Sequence, residues 1–492
     1  MILMQERIRH VGATTTAANG SSTVLTTCLT CSPNNLNERG RQVAFFPKPA
    51  AGSWTENWPE LGTAPVNYND SIDPEHYKLE QQAIFKKTWL KIGRVEQLPK
   101  RGSYFTREMP SVGAGTSVII VKDVKDGVET VRAFYNLCRH RGNKLVWNDY
   151  PGEEVSGSCR QFVCKYHAWR YGLDGDLTFV QQEGEFFDLN KSQYGLVPVN
   201  CEVWEGFIFI NFDSDAAPLS EYLGDFATGL EGYPFHEMTE HYSYRSEINA
   251  NWKLFIDAFT EFYHAPILHM KQAEKEEAEK LAKFGFEALA YDIKGDHSMV
   301  SSWGGMSPPK DLSMVKPIEQ ILHSGLFGPW DRPDIKGILP DELPPAINPG
   351  RHKTWGTDSF EFFPNFTLLF WAPGWYLTYN YWPTAVDKHI FEADLYFVPP
   401  KNLRERLSQE LAAVTFKEYA FQDANTLEAT QTQIGTGVVT DFPLCDQEIL
   451  LRHLHMTAHQ YVDRYKAAKA DGNGSTNGKH AATTEKKDAA HV

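Results

Sequence analysis

Cysteine is scarce in this chain, with seven in 492 residues. Seven scattered cysteines are too few for a disulfide scaffold of this size, which leaves metal or redox chemistry as their better use. Cationic charge is in deficit as well: 48 Lys and Arg against 63 Asp and Glu give a net charge of −15. That balance argues against a nucleic-acid partner, whose binding rests on cations at phosphates, and suits solubility or a basic partner. No apolar run nears the roughly 18 residues of a membrane span. Residues 1–30 carry Arg7, Arg9 and His10 but lack the apolar core of a secretory signal. No internal repeat is apparent. The expectation is a cytoplasmic protein with neither membrane nor nucleic acid as partner.

Hydrophobic residues make up 42% and aromatics 13%, enough for two or three domains' worth of core and for large apolar pockets. Residues 1–52 are rich in Ser, Thr, Asn and Ala without periodicity and read as a disordered tail. The Cys28-x-x-Cys31 pair inside that tail has no nearby ligand pair and reads as non-functional. Residues 467–492 read as a second polar tail. Residues 53–90 form a helical lead-in, with Asp73 as N-cap and Pro74 at the first helical position. Strands are predicted at Trp89–Ile92, Ser103–Thr106, Ser117–Val121 and Thr130–Asn136.

The stretch Asn251–Met270 sets Asp257, Glu261 and His264 four and then three residues apart, on one face of a predicted helix. His269 follows five residues after His264, and Pro266 between them is expected to bend or end the helix there and so turn His269 back beside His264. Buried polar groups need partners or a metal, so the pattern reads either as half a metal site or as a helix whose polar face meets solvent. Upstream, Cys138-x-His140 is followed, after 23 intervening residues, by Cys164-x-x-His167. Two such mixed pairs can surround one zinc or a two-iron cluster. Zinc sites usually pair Cys with Cys and His with His in sequence, so the alternation favours a Rieske-type [2Fe-2S] centre. Cys159 lies outside the spacing and reads as a non-ligand.

The run Lys271–Lys283 reads as a solvated helix, and residues 295–357, rich in Gly, Pro and Ser, as lid or pocket wall. Residues 359–398 are β-like and aromatic, and read as sheet core, as an apolar substrate cavity, or as an aromatic cage for a cationic substrate. A long helix is predicted from Arg404 to about Ile434, with Leu407, Leu411 and Val414 on one face. It contains Asp423, one of several acids, with Asp387, Asp394 and Asp441, able to complete a two-histidine, one-carboxylate iron site.

From about Tyr68 to Val462 the chain resembles the large (α) subunits of Rieske non-haem iron oxygenases of the ring-hydroxylating type. The resemblance is carried by Phe85-Lys-Lys-Thr-Trp89, Cys138-Arg-His140-Arg-Gly142, Tyr166-His167-Ala-Trp169, Glu205-Gly-Phe-Ile-Phe-Ile-Asn211 and Asn251-Trp-Lys253. It implies an α+β fold: an all-β Rieske domain over 91–215, then a catalytic domain over 216–466 with an antiparallel sheet flanked by helices. It implies a [2Fe-2S] cluster on Cys138, His140, Cys164 and His167, and mononuclear Fe(II) on His264, His269 and Asp423. By the same likeness, Glu261 links the iron to the cluster of a neighbouring subunit, with Asp257 supporting that link or gating protons. The implied partners are O2, a small hydrophobic substrate, and a reductase or ferredoxin that brings electrons from NAD(P)H. The implied assembly is a homotrimer, or a hetero-hexamer with small β subunits.

The activity so implied is hydroxylation, in the first place cis-dihydroxylation, of an aromatic or other hydrophobic substrate. The alternative is monooxygenation or demethylation of a quaternary amine or steroid. Lys165 and Ala168 stand where the family usually has proline and glycine. Glu261 replaces the usual aspartate and points toward amine or other non-aromatic substrates. The rivals outside this class are a Rieske electron carrier without catalysis and a zinc-bearing structural protein.

Overall fold

In the computed structural model, which describes residues 54–269, 288–303, 315–325, 328–353 and 355–476, regular helix begins where the cap signal stands. Asp73 accepts the backbone N–H of Glu75 at 2.9 Å, and the helix Pro74–Glu80 follows with Pro74 in its first turn. The tail with Cys28 and Cys31 and the run Lys271–Lys283 lie outside the described residues.

Two antiparallel sheets organise the rest, and all described residues fall within one compact unit, Lys48–Val492. The first sheet has seven strands, with Leu90–Arg94 beside Phe207–Asn211, then Pro198–Trp204, Val128–Tyr135, Ser117–Lys125, Ser103–Glu108 and Ser156–Ser158. A three-stranded sheet, Phe162–Val163, Arg170–Tyr171 and Leu177–Phe179, stands beside it. Alternation along Ser117–Val121 and Val128–Phe134 sends Ile119, Val121 and Phe134 to a small core with Trp169 and Tyr171. The opposite face joins the main core through Val118 and Ile120.

The second sheet also has seven strands, in the order Glu240–Ile248, Lys388–Phe397, Trp375–Ala385, Phe366–Trp371, Trp355–Phe362, His297–Trp303 and Ala288–Lys294. One face, with Phe360, Phe362 and Tyr376, packs on the helix Leu219–Gly229. The other, with Leu377, Tyr379 and Tyr381, packs on the helices Trp252–Asp257, Leu403–Ile434 and Ile449–Thr476. Arg107 of the first sheet meets Glu392 of the second at 2.7 Å.

Three local expectations change. The helix from Trp252 stops at Asp257, so Asp257, Glu261 and His264 do not share one helical face. Thr260 Oγ folds back onto the Asp257 carbonyl at 3.1 Å, and Pro266 lies in the first turn of a separate short helix, Ala265–Leu268, where a missing N–H costs nothing. On Leu403–Ile434 the exposed side carries Leu407 and Val414, while Ala412, Phe416, Tyr419 and Asp423 are buried. Small and aromatic residues therefore make that interface, because the neighbouring sheet supplies the bulk. The last helix runs to Thr476, ten residues into the segment whose composition predicts a tail.

Candidate metal centres

The four cluster candidates sit on two turns of similar build. After the strand ending at Tyr135, Cys138 N–H donates to the Asn143 carbonyl at 2.8 Å, and Gly142 N–H returns to the Cys138 carbonyl at 3.1 Å. In the second turn, Cys164 N–H donates to Trp169 O at 2.9 Å and Ala168 N–H to Cys164 O at 3.0 Å. The cysteines are buried and the histidines half-buried. The two imidazole rings lie 4.6 Å apart between centroids, and the His140 ring stacks on Trp169 at 4.9 Å. Tyr171 Oη is 3.4 Å from Cys138 Sγ. His140 Nδ1 is buried without a hydrogen-bond partner.

Among the described residues, sets of three donor atoms within 4.8 Å of one another occur at His264, His269 and Asp423, and at Asp70, His76 and His459, but not in this quartet. Inner thiols and outer imidazoles, spread too wide for one ion, fit a two-iron cluster with cysteines on one iron and histidines on the other. Lys165 and Ala168 both adapt to this turn. Lys165 Nζ donates to Trp147 O at 2.7 Å, and Ala168 takes φ 56°, the region that glycine favours.

The second constellation is tighter. Nε2 of His264 and Nε2 of His269 are 3.1 Å apart, and Asp423 Oδ1 lies 3.7 Å from the first and 3.4 Å from the second. Ligands about 2.1 Å from one ion at right angles stand about 3 Å from each other. Each ring is held by its other nitrogen: His264 Nδ1 meets Glu261 Oε1 at 2.5 Å, and His269 Nδ1 meets Gln422 Oε1 at 3.0 Å. With Nδ1 donating, the lone pair of each Nε2 faces the carboxylate. Asp423 is 1% exposed and its Oδ1 has no hydrogen-bond partner. Burial pushes its carboxyl up to about 7. Burial, then the charge of His264, push His269 down to about 4. Two converging lone pairs and an orphaned buried carboxylate oxygen make a donor set that fits a divalent cation, with Tyr419 packing on His269 at 5.0 Å.

Glu261 also accepts the backbone N–H groups of Tyr263 and His264 through Oε2, which makes it the pivot of the turn between the two helices. Asp257 accepts from Tyr68 Oη at 3.0 Å and pairs with His455 Nε2 at 3.2 Å. The other acids are elsewhere: Asp394 pairs with His241 at 3.0 Å, Asp441 accepts from Asn67, and Asp387 is exposed. At Asp70, His76 and His459, Lys253 Nζ already lies 3.4 Å from the carboxylate, so that set has its cation. Gln422 and His455 gave no signal of a role in the sequence, although Gln422 is next to Asp423.

Residues 88–192 match the Rieske [2Fe-2S] domain family, and residues 235–464 match the ring hydroxylating alpha subunit (catalytic domain) family. The chain is 34% identical over 295 residues to the carnitine monooxygenase oxygenase subunit of Escherichia coli K12, covering 57% of this chain and 70% of that protein. The subunit of the same name from Acinetobacter pittii is 31% identical over 44% of this chain and 54% of its own length; the match thus spans about half of that relative. The large oxygenase component of the Pseudomonas putida naphthalene 1,2-dioxygenase system is 30% identical over 76% of this chain and 83% of that protein. A solved quaternary ammonium Rieske monooxygenase in complex with gamma-butyrobetaine shares the fold, with TM-score 0.61 and 19% identity over 82% of this chain and 97% of that one.

Proposed function

The chain belongs to the Rieske non-haem iron oxygenases of the ring-hydroxylating alpha-subunit type, and from that premise we propose that it is a terminal oxygenase oxidising a quaternary ammonium substrate. The observation that carries the oxygenase reading is the convergence of His264, His269 and the orphaned Oδ1 of Asp423. A Rieske electron carrier has no use for that second centre. In this reading Cys138, His140, Cys164 and His167 hold the cluster, and His264, His269 and Asp423 hold Fe(II). The cluster supplies single electrons and the iron a centre reactive toward O2.

The protein's own groups set the geometry. Glu261 and Gln422 fix the tautomer and tilt of the two histidines, which keeps their lone pairs on the metal. Each carboxylate oxygen has room for about two hydrogen bonds, so Glu261 Oε1, with one, retains capacity for His167 of a neighbouring copy in a trimer. Asp257 acts as a positioning residue, tying the end of its helix to Tyr68 and His455. Electrons enter through a reductase or ferredoxin.

The amine reading draws support from the carnitine and quaternary ammonium monooxygenases among the relatives, and from Glu261. The second reading, hydroxylation of an aromatic ring, draws on the naphthalene 1,2-dioxygenase relative. The test is O2 uptake coupled to product, with a surrogate reductase, on quaternary amines and aromatic hydrocarbons side by side. Coupled turnover of an amine supports the first reading. Coupled turnover of the hydrocarbons alone supports the second.

A further inference from the structure

The segment that follows the first cluster turn lies along the second. It leaves that turn at Gly142, whose φ of 74° lets the chain double back. Buried Asn136 then fixes its course. Asn136 Oδ1 accepts the backbone N–H groups of Leu145 at 3.0 Å and Val146 at 2.8 Å, and its Nδ2 donates to Val146 O at 2.7 Å. Two side-chain bonds join the segment to the second turn. Lys165 Nζ donates to Trp147 O, and its ammonium stands 4.4 Å from the centroid of the Trp147 ring. Asn143 Nδ2 donates to Cys164 Sγ at 3.8 Å.

Asn143 therefore touches both turns. Its carbonyl accepts from Cys138 N–H at 2.8 Å, and its side chain reaches the other cysteine. An amide NH2 has two N–H donors. One goes to Lys144 O at 2.8 Å and the other to the Cys164 sulfur. Both neighbours are acceptors, which fixes the way the amide points: turned over, its oxygen would face a carbonyl and a thiolate. The other cysteine has a donor of its own. Tyr171 Oη accepts from Arg139 N–H at 3.0 Å, which leaves the hydroxyl hydrogen for Cys138 Sγ at 3.4 Å.

A metal-bound cysteine is a thiolate, and an N–H aimed at it makes a charge-assisted hydrogen bond. Reduction adds one negative charge, so that bond is stronger in the reduced state than in the oxidised one. A donor on a ligand sulfur therefore raises the reduction potential. We propose that Asn143, through its side-chain N–H on Cys164 Sγ, holds the cluster's potential up and so sets how readily this centre takes an electron from its donor. It acts through Cys164 and touches no substrate, which makes it a positioning residue. The inference rests on the reading of Cys164 as a cluster ligand.

The test is a redox titration of the holoenzyme, followed by the paramagnetic signal of the reduced cluster. Leucine keeps the branched shape of asparagine and has no side-chain N–H. In Asn143→Leu the equilibrium constant for taking up the electron should fall at least about threefold, roughly 30 mV for one electron. A smaller fall, or a rise, with the cluster's absorbance intact overturns the inference and leaves the ligand reading standing. Cys164→Ala checks that reading separately. A cluster like the parent's in Cys164→Ala would remove Cys164 as a ligand, and the inference with it. If Asn143→Leu does not assemble its cluster, Asn143→Ala is titrated in its place against the same threshold. If neither assembles, the parent labelled with 15N in its asparagine side chains decides. Pulsed resonance of its reduced cluster should then show a weak 15N coupling, and the absence of that coupling overturns the inference.

Discussion

His264 and His269 present their Nε2 atoms to each other at 3.1 Å while each is tethered from the far side of its ring, one by Glu261 and the other by Gln422. Neutral imidazoles so arranged would gain nothing from their proximity. With a cation between them and Asp423, the same arrangement becomes a pre-oriented ligand set. The tethers then contribute to metal affinity without touching the metal.

Gln422→Ala is therefore expected to weaken iron binding roughly 10- to 100-fold while leaving the cluster untouched. Competition with a chelator, read against the cluster's absorbance, measures both. Iron affinity equal to the parent's would show that the Gln422 contact does not orient His269.

Glu261→Gln keeps the shape of the side chain and removes its charge. Both metals should remain, and oxidation of the reduced cluster in a single turnover should slow. Rates that match the parent with both centres loaded would remove Glu261 from the path between them.

Ala168 carries a Cβ at φ 56°. The left-handed region costs a non-glycine residue about 1–2 kcal/mol, and glycine's extra freedom in the unfolded chain returns part of that. Ala168→Gly should raise stability by roughly 0.5–1 kcal/mol, seen as a higher denaturant midpoint for cluster loss. A lowered midpoint would mean that the methyl group packs usefully against the turn.

His455 lies between two acids, Asp257 at 3.2 Å and Asp70 at 3.8 Å. Burial disfavours its charge, but Asp257 and then Asp70 outweigh burial and lift its pKa to about 9. A histidine raised in the folded state stabilises fully below about 6.5, and that contribution fades as pH rises through 9. The stake is on the order of 3 kcal/mol. Unfolding free energy should fall between pH 6.5 and 9, and the slope should flatten in His455→Gln. An equal slope in the variant would assign the pH dependence to other groups.

The sequence was most legible where the physics is local. The Asp73 cap, the strands from Leu90 to Tyr135 and the two Cys/His turns follow from spacing and from residues close in the chain. Partners far apart were not legible: Gln422 meets His269 across 153 positions, and nothing local to either announces it. The break after Asp257 escaped prediction because apolar residues continue past it, while Thr260 and Glu261 turn the backbone through their own hydrogen bonds. On the long helix, apolar residues at helical spacing marked the exposed side, and Ala412 and Phe416 were buried by the shape of the sheet they meet.

The most direct test of the account is the iron content and cluster spectrum of the parent and Asp423→Ala, measured on the same preparations. The parent should hold one iron beyond the two of its cluster. Asp423→Ala should lose that one iron and its turnover, with the reduced-cluster paramagnetic signal unchanged. A variant that retains the third iron and still hydroxylates would contradict the assignment of His264, His269 and Asp423 as the oxygen-activating centre.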